Sequence, residues 1–315
     1  MKHSQEGLTT LTLVVVVAVI IVVVLAIILV LVVPLKPVDM HEYREIPTQS
    51  GVENIDLNLA GNIGTIDVSF DNLGDKFLTL EIWVTGAVNI LDDPGDYNLS
   101  FEYAFSGDTL DVDVNLEPTN IFSGINLLHV ECEVVISDQL KADLDIMTNT
   151  GSVTVNTIQH VNLTRMQLST NTGSVEAYLD SGTTLWDDIE MSTNTGSVYL
   201  QWEDIILVQN TSATLTTNTG RVNLEGRQAE ALGFDLEVSS TTQTGGVSAD
   251  IDISGNVSAE IDWSVVTGGT EIHQQIGFSH DGNHMQSDNF PSEDNISISM
   301  ETTTGGVDIW AEWND

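Results

Sequence analysis

The chain has few basic residues. Eight Lys and Arg stand against 47 Asp and Glu, which gives a formal net charge of −39 at pH 7. A surface this acidic repels phosphate backbones and anionic lipid headgroups, so we expect no nucleic-acid partner. The chain also has one cysteine, Cys132, which rules out an internal disulfide framework. Because Cys132 alternates with apolar Val130 and Val134, we expect it in the core rather than at a reactive site.

Charge is absent from one long stretch near the start of the chain. Residues 11–33 read LTLVVVVAVIIVVVLAIILVLVV, 23 residues with a single Thr. As a helix they span about 34 Å, enough to cross a bilayer, and they are too long for a cleaved signal peptide. The sequence therefore predicts a short tail at 1–10, a transmembrane helix at 11–33 that contacts membrane lipid, and a linker at 34–48.

The flanks of this helix carry similar positive charge and do not set its orientation. Five Asn-x-Ser/Thr sequons follow the helix, and each is a candidate glycosylation site. They favour a single-pass membrane protein with its C-terminal part outside the cell. The sequons begin at Asn98, Asn162, Asn210, Asn256 and Asn295.

Glycines recur at a nearly fixed interval in the rest of the chain. The motif T-N-T-G-S/R-V, in which the first residue is Thr148 or its copy, is written four times. Its glycine falls at Gly151, Gly173, Gly196 and Gly220, followed by degenerate copies at Gly245, Gly268 and Gly305. Gly64, Gly86 and Gly107 continue a similar spacing upstream. A fixed period of this length is typical of a solenoid whose units bury their apolar faces by stacking.

Each unit alternates apolar and polar residues with a period of two, which indicates strands. Before one glycine, Met166, Leu168 and Thr170 share a face, and after it the alternation resumes out of phase at Val175. We therefore predict an all-β fold: a parallel β-solenoid with rungs of about 22–25 residues and a bend at each glycine. Residues 141–315 form the regular solenoid, and 49–140 are irregular rungs or a small separate β domain.

The repeated motif is interpreted as the corner of each rung. Its threonines are predicted to be buried and aligned in rows, while the intervening Asn149, Asn171, Asn194 and Asn218 point outward and could form an amide ladder. The predicted corner residues are Thr148, Thr150, Gly151, Thr170, Thr172, Gly173, Thr193, Thr195, Gly196, Thr217, Thr219 and Gly220.

The stretch LHVECEVVISDQLKADLDIMTNTGSVTV (Leu128–Val155) resembles the bacterial and archaeal cell-surface family called "putative adhesin", a family of unknown function. In that family an alternating strand runs into T-x-T-G-x-V, and the unit repeats. The resemblance covers about residues 50–310. It implies a β-solenoid, often beside transmembrane segments, and no catalytic residues that could be carried over.

Two kinds of cation ligand stand out. His273, His280 and His284 lie close to Asp281 in the longest interval between glycines, but their spacing matches no zinc signature. A polar loop is the alternative interpretation. Acidic clusters could hold calcium loosely, although no known calcium-loop pattern is present. These clusters are Asp92, Asp93 and Asp96, and Asp187, Asp188 and Glu190.

Three functions are compatible with these features. The first is a membrane-anchored structural or adhesion-type module without catalysis or cofactor, whose partner is a surface glycan or protein. The second is a pilin-like filament subunit cleaved after Gly7, and the third is a surface-binding sensor of a membrane complex. The final rung, Met300–Asp315, is predicted to cap the solenoid with Trp313 and so to limit self-assembly.

Overall fold

The computed structural model describes residues 35–89, 97–118 and 127–314. The predicted N-tail, transmembrane helix and cleavage at Gly7, together with the first acidic cluster, lie outside the described residues. Within the described ranges no helix is long and apolar enough to cross a membrane. These residues form 25 strands, and the all-β prediction is confirmed.

The strand bounds follow the chain. They are β1 Leu35–Pro47, β2 Asn54–Ile63, β3 Thr65–Asp71, β4 Lys76–Asn89, β5 Tyr97–Ser106, β6 Thr109–Pro118, β7 Leu127–Ser137, β8 Lys141–Thr150, β9 Val153–Asn156, β10 Asn162–Thr172, β11 Val175–Leu179, β12 Thr184–Leu185, β13 Ile189–Thr195, β14 Val198–Glu203, β15 Ile206–Leu207, β16 Thr211–Thr219, β17 Val222–Gln228, β18 Leu236–Thr244, β19 Val247–Ser254, β20 Val257–Thr267, β21 Thr270–Ile276, β22 Phe278–Asp281, β23 His284–Ser287, β24 Asp294–Thr304 and β25 Val307–Asn314.

The strands build two sheets whose inner faces share one apolar core. The eleven-stranded sheet runs β1-β4-β7-β3-β9-β11-β14-β17-β19-β25-β21. The fourteen-stranded sheet runs β22-β23-β20-β24-β18-β16-β13-β10-β8-β2-β6-β5, with β12 beside β10 and β15 beside β12. A rung is a strand of the fourteen-stranded sheet, a glycine corner, and the next strand in the eleven-stranded sheet.

The central rungs stack in parallel and in register, as the repeat predicts. Thr170 of β10 pairs with Thr148 of β8 on one side and with Thr193 of β13 on the other. Val175 of β11 likewise lies between Val153 and Val198. Identical motifs therefore occupy identical places, which explains why the sequence repeats itself.

The N-terminal third departs from a parallel solenoid. Strand β4 is antiparallel to both β1 and β7, and β5 forms an antiparallel hairpin with β6. Gly86 lies inside β4 and Gly107 in the turn between β5 and β6, so neither is a corner and the prediction that they continue the repeat is wrong. Only Gly64 of the upstream glycines is stacked against the regular corners, where it contacts Gly151.

The C-terminal end is not arranged in chain order. Strands β24 and β25 lie between the rung β18–β19 and the rung β20–β21. The long interval from Gly268 to Gly305 accommodates the hairpin β22–β23, after which the chain returns to this inner position. The prediction that Met300–Asp315 caps the solenoid through Trp313 is therefore wrong, because another rung covers it.

The hairpin β22–β23 closes the end of the core instead. Its Phe278 and Met285 are buried in the apolar cluster, and Trp313 packs against that cluster from the penultimate rung. Trp263 of β20 is also buried, and the His280 ring stacks on it with centroids 6.2 Å apart. Burial of these large side chains removes from water the apolar surface that an open solenoid end would expose.

Cys132 is part of the core, as predicted, with 1% of its surface exposed. It pairs with Ile66 of β3 and Ile82 of β4, so apolar strands flank it on both sides. Burial raises the pKa of the Cys132 thiol to about 12, with a further contribution from the negative charge of Asp67. The thiol is thus protonated and shielded at neutral pH, which does not suit a nucleophile or a metal ligand.

Candidate functional site

The corner glycines form a column along the solenoid that no other residue type fits. Gly196 has a φ of +144°, and a Cβ atom there would lie 1.8 Å from the carbonyl oxygen of Gly173. Six other corners show the same close approach, with a Cβ position 1.5–1.9 Å from the preceding glycine oxygen. In spatial order the column is Gly64, Gly151, Gly173, Gly196, Gly220, Gly245, Gly305 and Gly268.

The two threonines of each corner have different roles. The first is buried, as predicted: Thr193 is 5% exposed and Thr217 is 3% exposed. The second is exposed, so the prediction that both threonines are buried is wrong for Thr150, Thr172, Thr195 and Thr219. The alternation slips one residue before the glycine rather than at it, because the chain already bends outward at the second threonine.

The buried threonines from Thr170 onward hold the adjacent corner in place, whereas the Thr148 hydroxyl makes no such hydrogen bond. The hydroxyl of Thr193 donates a hydrogen bond to the Gly173 carbonyl oxygen at 3.1 Å, and Thr217 donates to the Gly196 oxygen at the same distance. The rows are aligned as expected, but the hydroxyls bond to the neighbouring backbone rather than to one another. This contact explains why Thr, and not Val, occupies a buried β-branched position.

The predicted asparagine ladder is present on the outer surface. The side-chain nitrogen of Asn171 donates to the Asn149 oxygen at 3.2 Å, and Asn194 donates to Asn171 at 3.1 Å. Asn218 continues the ladder in one direction by donating to Asn194. Asn62 of β2 extends it in the other direction by accepting from Asn149 at 3.2 Å. Asn62 lies in no copy of the repeated motif, and its position two residues before the Gly64 corner is the one signal that marks it.

The ladder forms one wall of an open groove of about 530 Å³, which we call the corner groove. Uncharged polar side chains supply most of the lining, and Met147 adds an apolar one that is 49% exposed. The lining residues are Gly61, Met147, Thr148, Asn149, Ser169, Thr170, Asn171, Ser192, Thr193, Asn194, Thr216, Thr217 and Asn218.

The corner groove is uncharged, whereas the rest of the outer face of each sheet carries carboxylates. Asp143 and Asp145 lie on the same face of β8 as Met147, towards the strand's other end, and β11 and β17 carry Glu176 and Glu225 outward. None of the thirteen lining residues is ionisable. On a chain with a net charge of −39, the corner groove is therefore a neutral strip that spans five neighbouring strands, from β2 to β16.

The predicted metal candidates separate into two clusters. His284 of β23 lies beside Glu260 and Asp262 of β20, with its Nδ1 atom 2.9 Å from Asp262 Oδ1. His273 of β21 lies instead with Glu271 and with Asp308 of β25. His280 and Asp281 belong to neither group of three potential ligand atoms found in the described part of the chain.

The hydrogen bond from His284 to Asp262 raises the pKa of the imidazole above its ordinary value. A second hydrogen bond, from Ser297 Oγ to Glu260 Oε1 at 2.8 Å, already orients the other carboxylate of this cluster. The arrangement is that of a hydrogen-bonded histidine–carboxylate pair between adjacent antiparallel strands. It fastens the end hairpin to β20.

The acidic cluster at Asp187, Asp188 and Glu190 is exposed. Its carboxylates accept hydrogen bonds from backbone N–H groups. Asp188 Oδ1 accepts one from Ser212 N at 2.8 Å, and Asp187 Oδ1 accepts one from Asp188 N at 2.9 Å. These carboxylates therefore stabilise the loop before β13. Calcium binding there remains a prediction.

The sequons differ in accessibility. Asn210 and Asn256 are exposed in loops, and Asn162 is half-buried on β10. Asn295 is half-buried, and its side-chain nitrogen donates to Asp235 Oδ1 at 3.0 Å. The backbone of Asn98 lies in β5. The exposed pair offers a free approach to a modifying enzyme, whereas the Asn295 amide is already engaged.

No protein-family model and no curated protein matches the sequence. Among solved structures, the chain is similar to a putative cell adhesion protein from Clostridium sporogenes, with 11% identity, 89% of this chain and 100% of that chain covered, and a TM-score of 0.40. It is also similar to a putative adhesin from Bacteroides fragilis, with 8% identity, coverages of 86% and 96%, and a TM-score of 0.33. These descriptions agree with the family that the sequence resembles.

Proposed function

We propose that the chain is an adhesion-type cell-surface protein without catalytic activity, tethered to the membrane by residues 11–33 and displaying its solenoid outside the cell. The observation that supports adhesion is the corner groove. It is a straight, uncharged and accessible surface on an otherwise strongly acidic molecule. A surface of this kind allows a partner to approach without the charge repulsion that the rest of the chain exerts.

The chemistry of the groove favours a neutral glycan as the partner. Each ladder amide donates one N–H to its neighbour and keeps a second N–H and an oxygen lone pair for a ligand. Ser169, Ser192 and Thr216 add a hydroxyl on successive rungs. Adjacent strands lie about 4.8 Å apart, so the same donors and acceptors recur at that interval. An extended polysaccharide carries hydroxyls at a comparable interval along its length.

Binding to such a groove depends on many weak contacts. A single hydrogen bond contributes about 0.5–1.5 kcal/mol, so the loss of one ladder amide changes affinity modestly. We therefore test Asn171→Ala combined with Asn194→Ala, which removes the centre of the ladder. The matched control is Asn156→Ala, which removes an exposed Asn from the eleven-stranded sheet and leaves the groove intact.

The experiment applies full-length protein in detergent to immobilised neutral and acidic polysaccharides. We expect binding to neutral polymers, about 5- to 150-fold weaker for the double variant and unchanged for the control, since two lost hydrogen bonds correspond to roughly 1–3 kcal/mol. Equal binding by the double variant would falsify a role for the ladder. If the protein bound only acidic polymers, or only a surface protein, that molecule and not a neutral glycan would be the ligand.

The membrane tether is tested separately. Intact cells treated with protease should lose the solenoid while a fragment containing residues 11–33 stays in the membrane. Mass spectrometry should find a mature N-terminus that precedes residue 8. An N-terminus at Leu8 together with isolated filaments would favour the pilin-like subunit instead. Stable co-purification with a membrane partner that has a cytoplasmic domain would favour the sensor.

A further inference from the structure

Three side chains converge on the outer face of the eleven-stranded sheet, near the end of the solenoid. His273 Nε2 lies 3.3 Å from Asp308 Oδ1 and 3.8 Å from Glu271 Oε2. Glu271 pairs with Asp308 across the parallel strands β21 and β25, so both carboxylates approach the same ring nitrogen. We call these three residues the edge cluster.

His273 Nε2 and Asp308 Oδ1 are within hydrogen-bonding distance, and the spacing within the edge cluster also fits metal coordination. Ligand atoms that each lie about 2.1 Å from a tetrahedral ion are about 3.4 Å apart. The two distances from His273 Nε2 are close to that value, and all three ligand atoms lie within 4.8 Å of one another. In the other cluster His284 Nδ1 is only 2.9 Å from Asp262, which is an ordinary hydrogen bond.

The local backbone directs His273 towards this position. The register between β21 and β25 shifts between Ile272 and Gln274, which leaves His273 as the extra residue of a β-bulge. A bulge re-aims a side chain relative to a regular strand. The imidazole then stacks on Trp310 with centroids 4.2 Å apart and planes 11° from parallel, so the ring orientation is fixed by packing.

The surroundings attract cations. Asp250 and Asp252 of β19 pair with Trp310 and Glu312 of β25 and face outward beside the edge cluster. Several carboxylates on one low-dielectric sheet surface raise the local concentration of positive ions. The cluster itself is open, with side-chain exposures of 37% for His273 and 35% for Asp308, so an ion can enter without rearrangement.

We propose that Glu271, His273 and Asp308 bind a divalent transition-metal ion of the zinc type, with water completing its coordination. One imidazole and two carboxylates suit zinc better than calcium or magnesium, which prefer oxygen ligands alone. The ion links β21, the outermost strand of its sheet, to β25. It therefore stabilises the exposed end of the solenoid, in addition to the proposed adhesion at the corner groove.

The test titrates Zn²⁺ into full-length protein by calorimetry, after treatment with a chelator. Excess Mg²⁺ and an ionic strength of about 0.15 M, where screening acts over about 8 Å, suppress general binding to the acidic surface. The variants are His273→Gln and Asp308→Asn. The matched control is His284→Gln, which alters the other histidine–carboxylate cluster and preserves the edge cluster.

We expect one zinc ion per chain, bound at least tenfold more weakly by both edge-cluster variants and unchanged by the control. Zinc should also slow hydrogen exchange of the β21 amides, because it links this strand to β25. Unchanged affinity in His273→Gln overturns the assignment. If His284→Gln abolishes zinc binding instead, the ion binds at the other cluster. If Mg²⁺ displaces zinc as readily as zinc displaces Mg²⁺, the ion is a counterion of the acidic surface and the edge cluster is no specific site.

Discussion

Replacing Gly196 with alanine should disrupt the corner column at its centre. The added Cβ atom would lie 1.8 Å from the Gly173 carbonyl oxygen, far inside van der Waals contact. That oxygen belongs to the backbone of the neighbouring rung and cannot rotate away. Gly196→Ala must therefore separate two rungs, and at a φ of +144° the alanine is also strained.

The magnitude follows from these two effects. Backbone strain at this φ costs roughly 1–3 kcal/mol. Separation of these two rungs weakens the hydrogen bond from Gly173 N to Thr195 O at 2.9 Å and the bond from Thr193 to Gly173 at 3.1 Å. Each is worth about 1 kcal/mol. The expected loss in the free energy of unfolding is about 3–5 kcal/mol.

Gly74→Ala is the matched control. Gly74 also has a positive φ, +66°, but no atom lies within 4 Å of the added Cβ position. It should cost about 1 kcal/mol from strain alone. Guanidinium denaturation followed by circular dichroism measures both variants, provided that the slope of the transition is unchanged. If both lose the same stability, the close approach between corner glycines does not constrain the fold.

Three further predictions concern the core and the charges. Thr193→Val should cost about 1–2 kcal/mol in chemical denaturation because the Gly173 oxygen loses its donor, whereas Thr195→Val at an exposed position should stay within about 0.5 kcal/mol. Cys132, whose pKa is raised to about 12 by burial, should react with a thiol reagent only as fast as the protein unfolds, and rapid labelling of folded protein contradicts this. Burial raises the pKa of Asp56 and Asp67 above 3.8, so just above that pH the folded state holds protons that the unfolded state has released. Their contribution makes the protein more stable as pH falls from neutral towards that window, and Asp67→Asn should flatten the slope; an unchanged slope rules out this origin.

The sequence predicted the middle of the molecule well because the same signals recur there. The two-residue alternation indicated strands, the fixed glycine interval indicated stacking, and together they placed Thr170 between Thr148 and Thr193. The outward asparagine row followed from the same alternation. The second threonine of each corner was misplaced, because alternation alone does not show where a bend begins.

The strand order at both ends of the molecule was not predicted, for a different reason. Rungs with similar apolar faces can stack in several orders, and nothing local in β24 or β25 shows that they lie inside β20 and β21. The antiparallel insertion of β4 between β1 and β7 is likewise a long-range choice.

The edge cluster, too, depends on long-range strand pairing that the sequence does not reveal. His273 was a candidate ligand in the sequence, but Asp308 is 35 residues further along the chain. Only the register between β21 and β25, including the bulge, brings the two together. The other histidines near it in sequence are directed to the end hairpin instead.

The inner position of β24 and β25 sets an order for assembly. Rungs from β8 to β19 can dock one after another as synthesis proceeds, because each new rung meets its predecessor. The rung β20–β21 has no completed rung beside it until residues 294–314 have left the ribosome, since those residues form the rung against which it stacks. The tip is therefore the last part of the solenoid to form, and a chain that stops before β24 leaves it without a support.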